Sequence, residues 1–176
     1  KNLTGLARHI RDLVADIHTN IQQWNSLHLQ GIICIKNITQ EKQANNYYST
    51  ILQDLCDKLE NICDNLVSVP FKYFYIISFK VLYQIKHQLK TLPALQKTLD
   101  KLFITWPTTK FGEVAEIICE AYHKEAKLKR KILENVAHNY TDSWKMLHLA
   151  AWQYQPSLPE DLTILLEFLL TETGHR

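Results

Sequence analysis

Tyr48, Leu52, Leu55, Leu59, Ile62 and Leu66 follow one another at steps of 4, 3, 4, 3 and 4 residues. Apolar side chains at that spacing line one stripe of an α-helix, and the stripe must meet another helix to leave water. A strand would scatter the same residues over both faces of a sheet. Two further stripes flank this one. Leu3, Leu6, Ile10, Leu13, Ile17, Ile21 and Trp24 predict a helix of roughly 25 residues ending near Gly31. Phe111, Val114, Ile118, Ala121, Leu128, Ile132 and Val136 share one face of another long helix. Only four glycines and five prolines interrupt 176 residues, so the helices can be long.

Residues 31–46 are more polar and read as a connector with a short turn at 32–38. After Leu66 the seam fails. Residues 67–82 carry Pro70, a cluster of aromatics and no acid, and the seam resumes at Ile85, Leu89 and Leu92. Deleting the sixteen residues restores the 3-4 alternation without a break, so 67–82 reads as an insertion into an older helix. Its opening Val-Ser and its wealth of Phe, Tyr and Ile fit a translated intron; a genuine helix after Pro70 is the other reading. Pro93 interrupts again, before a short stripe of Leu95, Leu99 and Leu102. Downstream, 142–153 forms a shorter helix with Trp144, Leu147 and Ala151 on one face. Ser157 and Glu160 have capping-box spacing ahead of Leu162, and Gly174 is placed to end the last helix. The expected fold is all-α. A long antiparallel coiled-coil-like hairpin occupies 1–104, with its heptads open to a helical partner, and a small helical bundle occupies 105–176.

Reactive constellations are missing from the sequence. It holds no HExxH, no paired Cys/His set, no Walker loop, no GxSxG and no GxGxxG, so no metal, cofactor or catalytic residue is assigned. His18 and His28 point in similar directions on one helix and read as solvated surface. Cys34, Cys56, Cys63 and Cys119 form no CxxC pair and read as reduced thiols of a cytosolic or nuclear protein. Glycosylation-type triplets begin at Asn2, Asn37 and Asn139, but such triplets are common by chance, and no secretory signal pattern accompanies them. The apolar run 71–85 contains Lys72 and Lys80 and is too short for a bilayer, so no membrane contact is expected.

A formal charge of +2 gives no global field for nucleic acid. Lys124, Lys127 and Lys131 nevertheless form a basic stripe away from the apolar face of their helix. That stripe is a solvated face, an acidic-partner surface, or a nucleic-acid or nuclear-import contact. Lys129 falls nearer the apolar side, where partial cover is expected. Arg11-Asp12-Leu13 and Lys131-Ile132-Leu133 match the loose docking pattern read by cyclins, but both fall inside predicted helices, whereas such a peptide docks extended.

Between the long patterns lies Thr105-Trp106-Pro107-Thr108-Thr109-Lys110-Phe111. Pro107 restrains Trp106 to an extended conformation, and Thr108 or Thr109 can cap a helix starting near Lys110. Trp106 and Phe111 can then pack across that start as a hydrophobic staple. The segment is a rigid corner, and Trp106 is also a candidate anchor for a partner. Large aromatics set among polar residues make good anchors, so Phe111, Tyr122 and Trp152 join Trp106 as partner-binding candidates, and Pro107, Lys129 and Arg130 complete the set.

"TWPTTKFGEV" from Thr105, "LKR" at 128–130, Ala137-His138, Trp152 with Gln155-Pro156, and the closing Glu172-Thr-Gly-His-Arg176 resemble the cyclin-dependent kinase 2-interacting protein family. Agreement is thinner in the first half: Asp12, Ala15-Asp16, His18, Trp24 and Gly31, then Leu55-Cys56, Leu59, Asp64 and Leu66. Residues 67–82 have no counterpart in that pattern. The resemblance implies a nuclear, non-catalytic adaptor, present also in the cytoplasm. Implied partners are cyclin-dependent kinase and other replication kinases, checkpoint factors and subunits of an AAA ATPase complex. The implied processes are the cell cycle, DNA replication, the DNA-damage checkpoint and ribosome biogenesis. Direct nucleic-acid binding through the basic stripe is the alternative.

Overall fold

A computed structural model describes residues 6–44, 49–67, 103–138 and 141–176. These residues contain five helices and no strand: α1 (Leu6–Ala44), α2 (50–67), α3 (Thr108–Val136), α4 (Asp142–Tyr154) and α5 (Leu162–Glu172). The all-α expectation holds. Tyr48, the insertion reading of 67–82 beyond Val67, the resumed seam, the stripe after Pro93 and the triplets at Asn2 and Asn139 lie outside the described residues.

The described residues fall in two compact units, each drawing on both sides of residue 104. One lies within Lys1–Ile21, Pro70–Glu120 and Pro159–Arg176; the other comprises Gln22–Val69 and Ala121–Leu158. In the first, α1 buries Ile10, Leu13, Val14 and Ile17, α3 buries Phe111, Val114 and Ile118, and α5 buries Leu162, Leu166, Leu169 and Leu170. Gly174 ends α5 as expected. Its φ of +70° lies in the left-handed region that glycine enters without strain. His175 N–H donates to Leu170 O at 2.9 Å and Gly174 N–H to Thr171 O at 3.1 Å, the paired bonds of a Schellman turn. The capping box does not form. Asp161 holds the N-cap position, and the Ser157 N–H donates to Glu125 instead, at 3.1 Å.

The second unit joins four helical segments. Ser49 caps α2, accepting the Leu52 N–H at 3.1 Å while its hydroxyl donates to Glu41 at 2.9 Å. Cys34 Sγ donates to Leu55 O at 3.1 Å, so α2 runs back along α1. Leu52, Leu59, Cys63 and Leu66 are buried and Leu55 and Ile62 half-buried, as the heptad spacing predicts. Trp24 meets Tyr122 and His28 meets Lys129, so α3 runs parallel to α1 here. Trp152 meets His28 and Gln155 meets Trp24, so α4 runs antiparallel to α1.

Two elements differ from their expectations. α1 does not stop at Gly31; it continues through the expected connector to Ala44. Cys34, Ile35, Ile38 and the Lys42 stem are buried along that extension, enough apolar contact to outweigh one interior glycine. On α4 the stripe of Trp144 and Leu147 faces outward, and His148 and Trp152 are the buried pair.

Candidate functional site

The sequence-predicted candidates separate into two clusters of opposite character, one at a surface corner and one in a core. The corner belongs to the first unit. α3 begins at Thr108, two residues before the expected start, and Pro107 O accepts the Lys110 N–H at 2.9 Å. Trp106 and Phe111 therefore stand on either side of the first turn. Their ring centroids are 5.4 Å apart, so the staple forms. Phe103 lies 4.7 Å from Phe111, and Phe168 of α5 lies 6.5 Å from Trp106, edge to face. Glu172, at the end of α5, fastens the corner. Its Oε2 accepts the Thr105 N–H at 2.9 Å and the Trp106 N–H at 3.3 Å, and its Oε1 accepts the Thr105 hydroxyl. Burial alone would raise the Glu172 pKa, but these donors outweigh it and hold the carboxyl below its ordinary range. Phe111 is buried and Trp106 half-buried, while Ile104, Pro107, Ile164 and Phe168 are exposed. The corner is thus a fixed turn with an apolar rim.

The second cluster is internal. Lys129 has no exposed side-chain surface. Its ammonium lies 3.1 Å from Trp152 O, 3.2 Å from His28 Nδ1 and 3.3 Å from Glu125 Oε1. It also sits over the Trp152 ring, 4.3 Å from the centroid, and 5.9 Å from that of Trp24. An ammonium cannot accept a hydrogen bond, so His28 Nδ1 is the acceptor and His28 is neutral. Burial, then the nearby Lys129 charge, pushes the His28 pKa down to about 4. Burial likewise lowers Lys129 to about 8, against the opposing pull of Glu125. The fully buried Glu125 uses Oε2 for the Ser157 N–H, while Oε1 makes only the ionic contact with Lys129.

Around this pair, Trp152 Nε1 donates to His28 O at 3.0 Å and Trp24 Nε1 donates to Gln155 Oε1 at 2.7 Å. Gln155 adopts φ 46°, a left-handed turn that ends α4. Tyr122 is half-buried edge-on to Trp24, with centroids 5.0 Å apart. Arg130 leaves the core and bridges to Asp64 at 2.8 Å and Glu60 at 3.4 Å on α2.

Placement corrects several expectations. Trp152 is fully buried and presents no surface to a partner, because the short α4 inserts its ring against Gly31. Lys129 is wholly rather than partly covered and so presents no surface to a partner, whereas Lys124, Lys127 and Lys131 are exposed as expected. His28 is buried rather than solvated, since it faces Lys129. Sequence reading missed Glu125, Gln155 and Glu172 as positioning residues. The four-residue spacing of Glu125 and Lys129 on one helix was the available signal.

No protein-family model matches the chain. Cyclin-dependent kinase 2-interacting protein of Homo sapiens is 29% identical over 203 residues, covering 99% of this chain and 92% of the human protein. Its Mus musculus counterpart is 29% identical over 198 residues and the Xenopus laevis one 27% over 190, with the same coverage. The chain resembles cyclin-dependent kinase 2-interacting proteins along nearly its whole length. These relatives are named for an interaction and not for a reaction. Among the described residues, no three His, Cys, Asp or Glu side chains gather as a metal site, and no helix is long and apolar enough to cross a membrane.

Proposed function

We propose that this chain is a non-catalytic adaptor that binds a cyclin-dependent kinase, with the Trp106 corner as its contact surface. The observation that carries the reading is end-to-end similarity to proteins named for that interaction. The corner supports it physically: Ile104 and Phe168 rim a half-buried Trp106 that Phe111 and Glu172 hold in one orientation. A pre-ordered aromatic at the centre of an apolar rim loses little entropy on binding. The fuller reading places the adaptor in the nucleus, also linking replication kinases, checkpoint factors and an AAA ATPase assembly. Co-precipitation with cyclin-dependent kinase 2 tests the core statement. Ile104→Asp and Phe168→Asp alter exposed side chains, so each should cut kinase recovery at least about fivefold while the melting temperature stays nearly constant. Undiminished recovery with both variants removes the corner from the interface; a wild-type chain that captures no kinase removes the proposal.

The exposure of Lys124, Lys127 and Lys131 supports nucleic-acid binding as the second reading. It is the weaker one, because Lys129 is buried and Arg130 is engaged by Asp64 and Glu60. Such binding should weaken steeply with added salt, with a log-log slope of roughly −0.9 per phosphate neutralised.

A further inference from the structure

We propose that Cys34 and Cys56 are a redox pair, which hydrogen peroxide joins in a disulfide that fastens α1 to α2 within the second unit. All four cysteines are free thiols, and these two meet across the helix pair. Cys34 Sγ lies 3.1 Å from Leu55 O. In a planar peptide the carbonyl oxygen stands about 2.8 Å from the next Cα, so Cys34 Sγ is within about 6 Å of Cys56 Cα. A disulfide needs roughly 4 Å between such atoms, so a shift of up to about 2 Å brings the sulfurs to bonding distance. Burial, and then the neighbouring Cys56, raises the Cys34 pKa, as close approach of the two thiols requires.

The pair divides the work. Cys56 is half-buried and within reach of a small oxidant, whereas Cys34 is buried. Glu41 meets Ser49 and Cys34 meets Leu55, so residues 34–42 of α1 run back along the start of α2. Lys42 is buried in this stretch, and helical side chains lean toward the N-terminus of their helix, here toward the level of Cys56. Burial lowers the Lys42 pKa and the Cys56 charge opposes that shift; the same attraction favours the Cys56 thiolate, the reactive form. Burial pushes Cys63 and Cys119 up to about 12, which keeps both protonated and slow.

The Cys56 thiolate attacks one peroxide oxygen; the O–O bond breaks, hydroxide leaves and a sulfenic acid remains. Cys34 gives its proton to that hydroxide and attacks the sulfenic sulfur. The S–S bond forms, and the second hydroxide leaves and takes up the proton that Cys56 first lost. Two thiols have then given up two electrons, and the peroxide has become two waters. In a reducing compartment such a bond is transient and reports an oxidant. This inference does not depend on kinase binding.

Peptide mapping of the purified full chain after brief exposure to hydrogen peroxide tests it. The Cys34–Cys56 crosslink should dominate, within single chains on a non-reducing gel. Cys34→Ala and Cys56→Ala should each abolish it, and Cys63→Ala combined with Cys119→Ala should leave it. Lys42→Met keeps the stem and removes the charge, so crosslinking should slow at least about threefold. The oxidised chain should melt about 5 °C or more above the reduced one, and dithiothreitol should reverse the gain. Thiols that stay free under peroxide overturn the inference, as do a Cys56 that proceeds to sulfinic acid with Cys34 untouched, crosslinks mainly between chains, or an oxidised chain that melts no higher. An unchanged rate with Lys42→Met overturns the part given to the lysine.

Discussion

Gly31→Ala sets two physical effects against each other. Gly31 lies in the interior of α1, where alanine is the better helix former by about 1 kcal/mol. On propensity alone the substitution stabilises. The structure reverses the sign. A Cβ at Gly31 would stand 2.1 Å from Trp152 Cζ2, 2.5 Å from Cε2 and 2.8 Å from Nε1. Comfortable carbon contacts lie near 3.5–4.0 Å. The indole cannot withdraw easily, because it is fully buried and its Nε1–H is committed to His28 O on the same helix. Overfilling a packed core commonly costs about 1–3 kcal/mol, and more where a rigid ring must move. We expect a net loss of about 2 kcal/mol. At about 2–4 °C per kcal/mol for a chain this long, calorimetry should show the melting temperature fall by about 4–8 °C. Trp152→Phe removes Cζ2, the ring atom nearest the added methyl. In that background Gly31→Ala should cost at least about 1 kcal/mol less, read as the coupling in a double-mutant cycle. A melting temperature raised by Gly31→Ala in the otherwise native chain would refute the argument.

Two further outcomes follow from the buried ammonium. His28 has a folded pKa of about 4 against an ordinary 6.5, so between those values the unfolded chain takes up a proton that the native one refuses. Stability should therefore decline as the pH drops from 6.5 to 4, by up to about 3 kcal/mol from this residue; denaturant titrations across that range should show His28→Gln losing that part of the decline, and an unchanged slope would contradict the assignment. Lys129→Met leaves the Glu125 carboxylate buried without its counter-charge, which should cost about 3–5 kcal/mol in denaturant unfolding, while adding Glu125→Gln should recover much of it; a single variant as stable as the native chain would show the ion pair to be dispensable.

Much of the fold was legible because 3-4 spacing encodes helix faces directly. The α2 seam, the long α3 stripe, the Trp106–Phe111 staple and the terminal turn at Gly174 all followed from local rules. α1 failed at Gly31 because a glycine after a helical stretch reads as a stop. The stripe itself did not stop there: His28, Gly31, Ile35, Ile38 and Lys42 extend it at steps of 3 and 4. What the sequence hid is that glycine there gives room for a tryptophan more than a hundred residues away. The α4 stripe failed for a related reason. Helices with apolar residues on every side have no unique inward face, and Trp152 was selected by a cavity that other helices shape. Glu125, Lys129 and His28 carry ordinary surface letters, and only tertiary enclosure makes them a core group.

That enclosure bears on how the second unit assembles. Lys129 is attended by His28 and Trp24 from α1, by Glu125 from its own helix, by the Trp152 carbonyl from α4 and, through its backbone oxygen, by Cys63 from α2. Glu125 stays beside Lys129 because both lie on α3, so an intermediate lacking α1 or α4 keeps the ion pair but loses the His28 or Trp152 acceptor of the ammonium. Apolar contacts can form piecemeal, whereas this ammonium is fully served only when α1, α3 and α4 are all in place, so those three segments should come together, and come apart, in a single step.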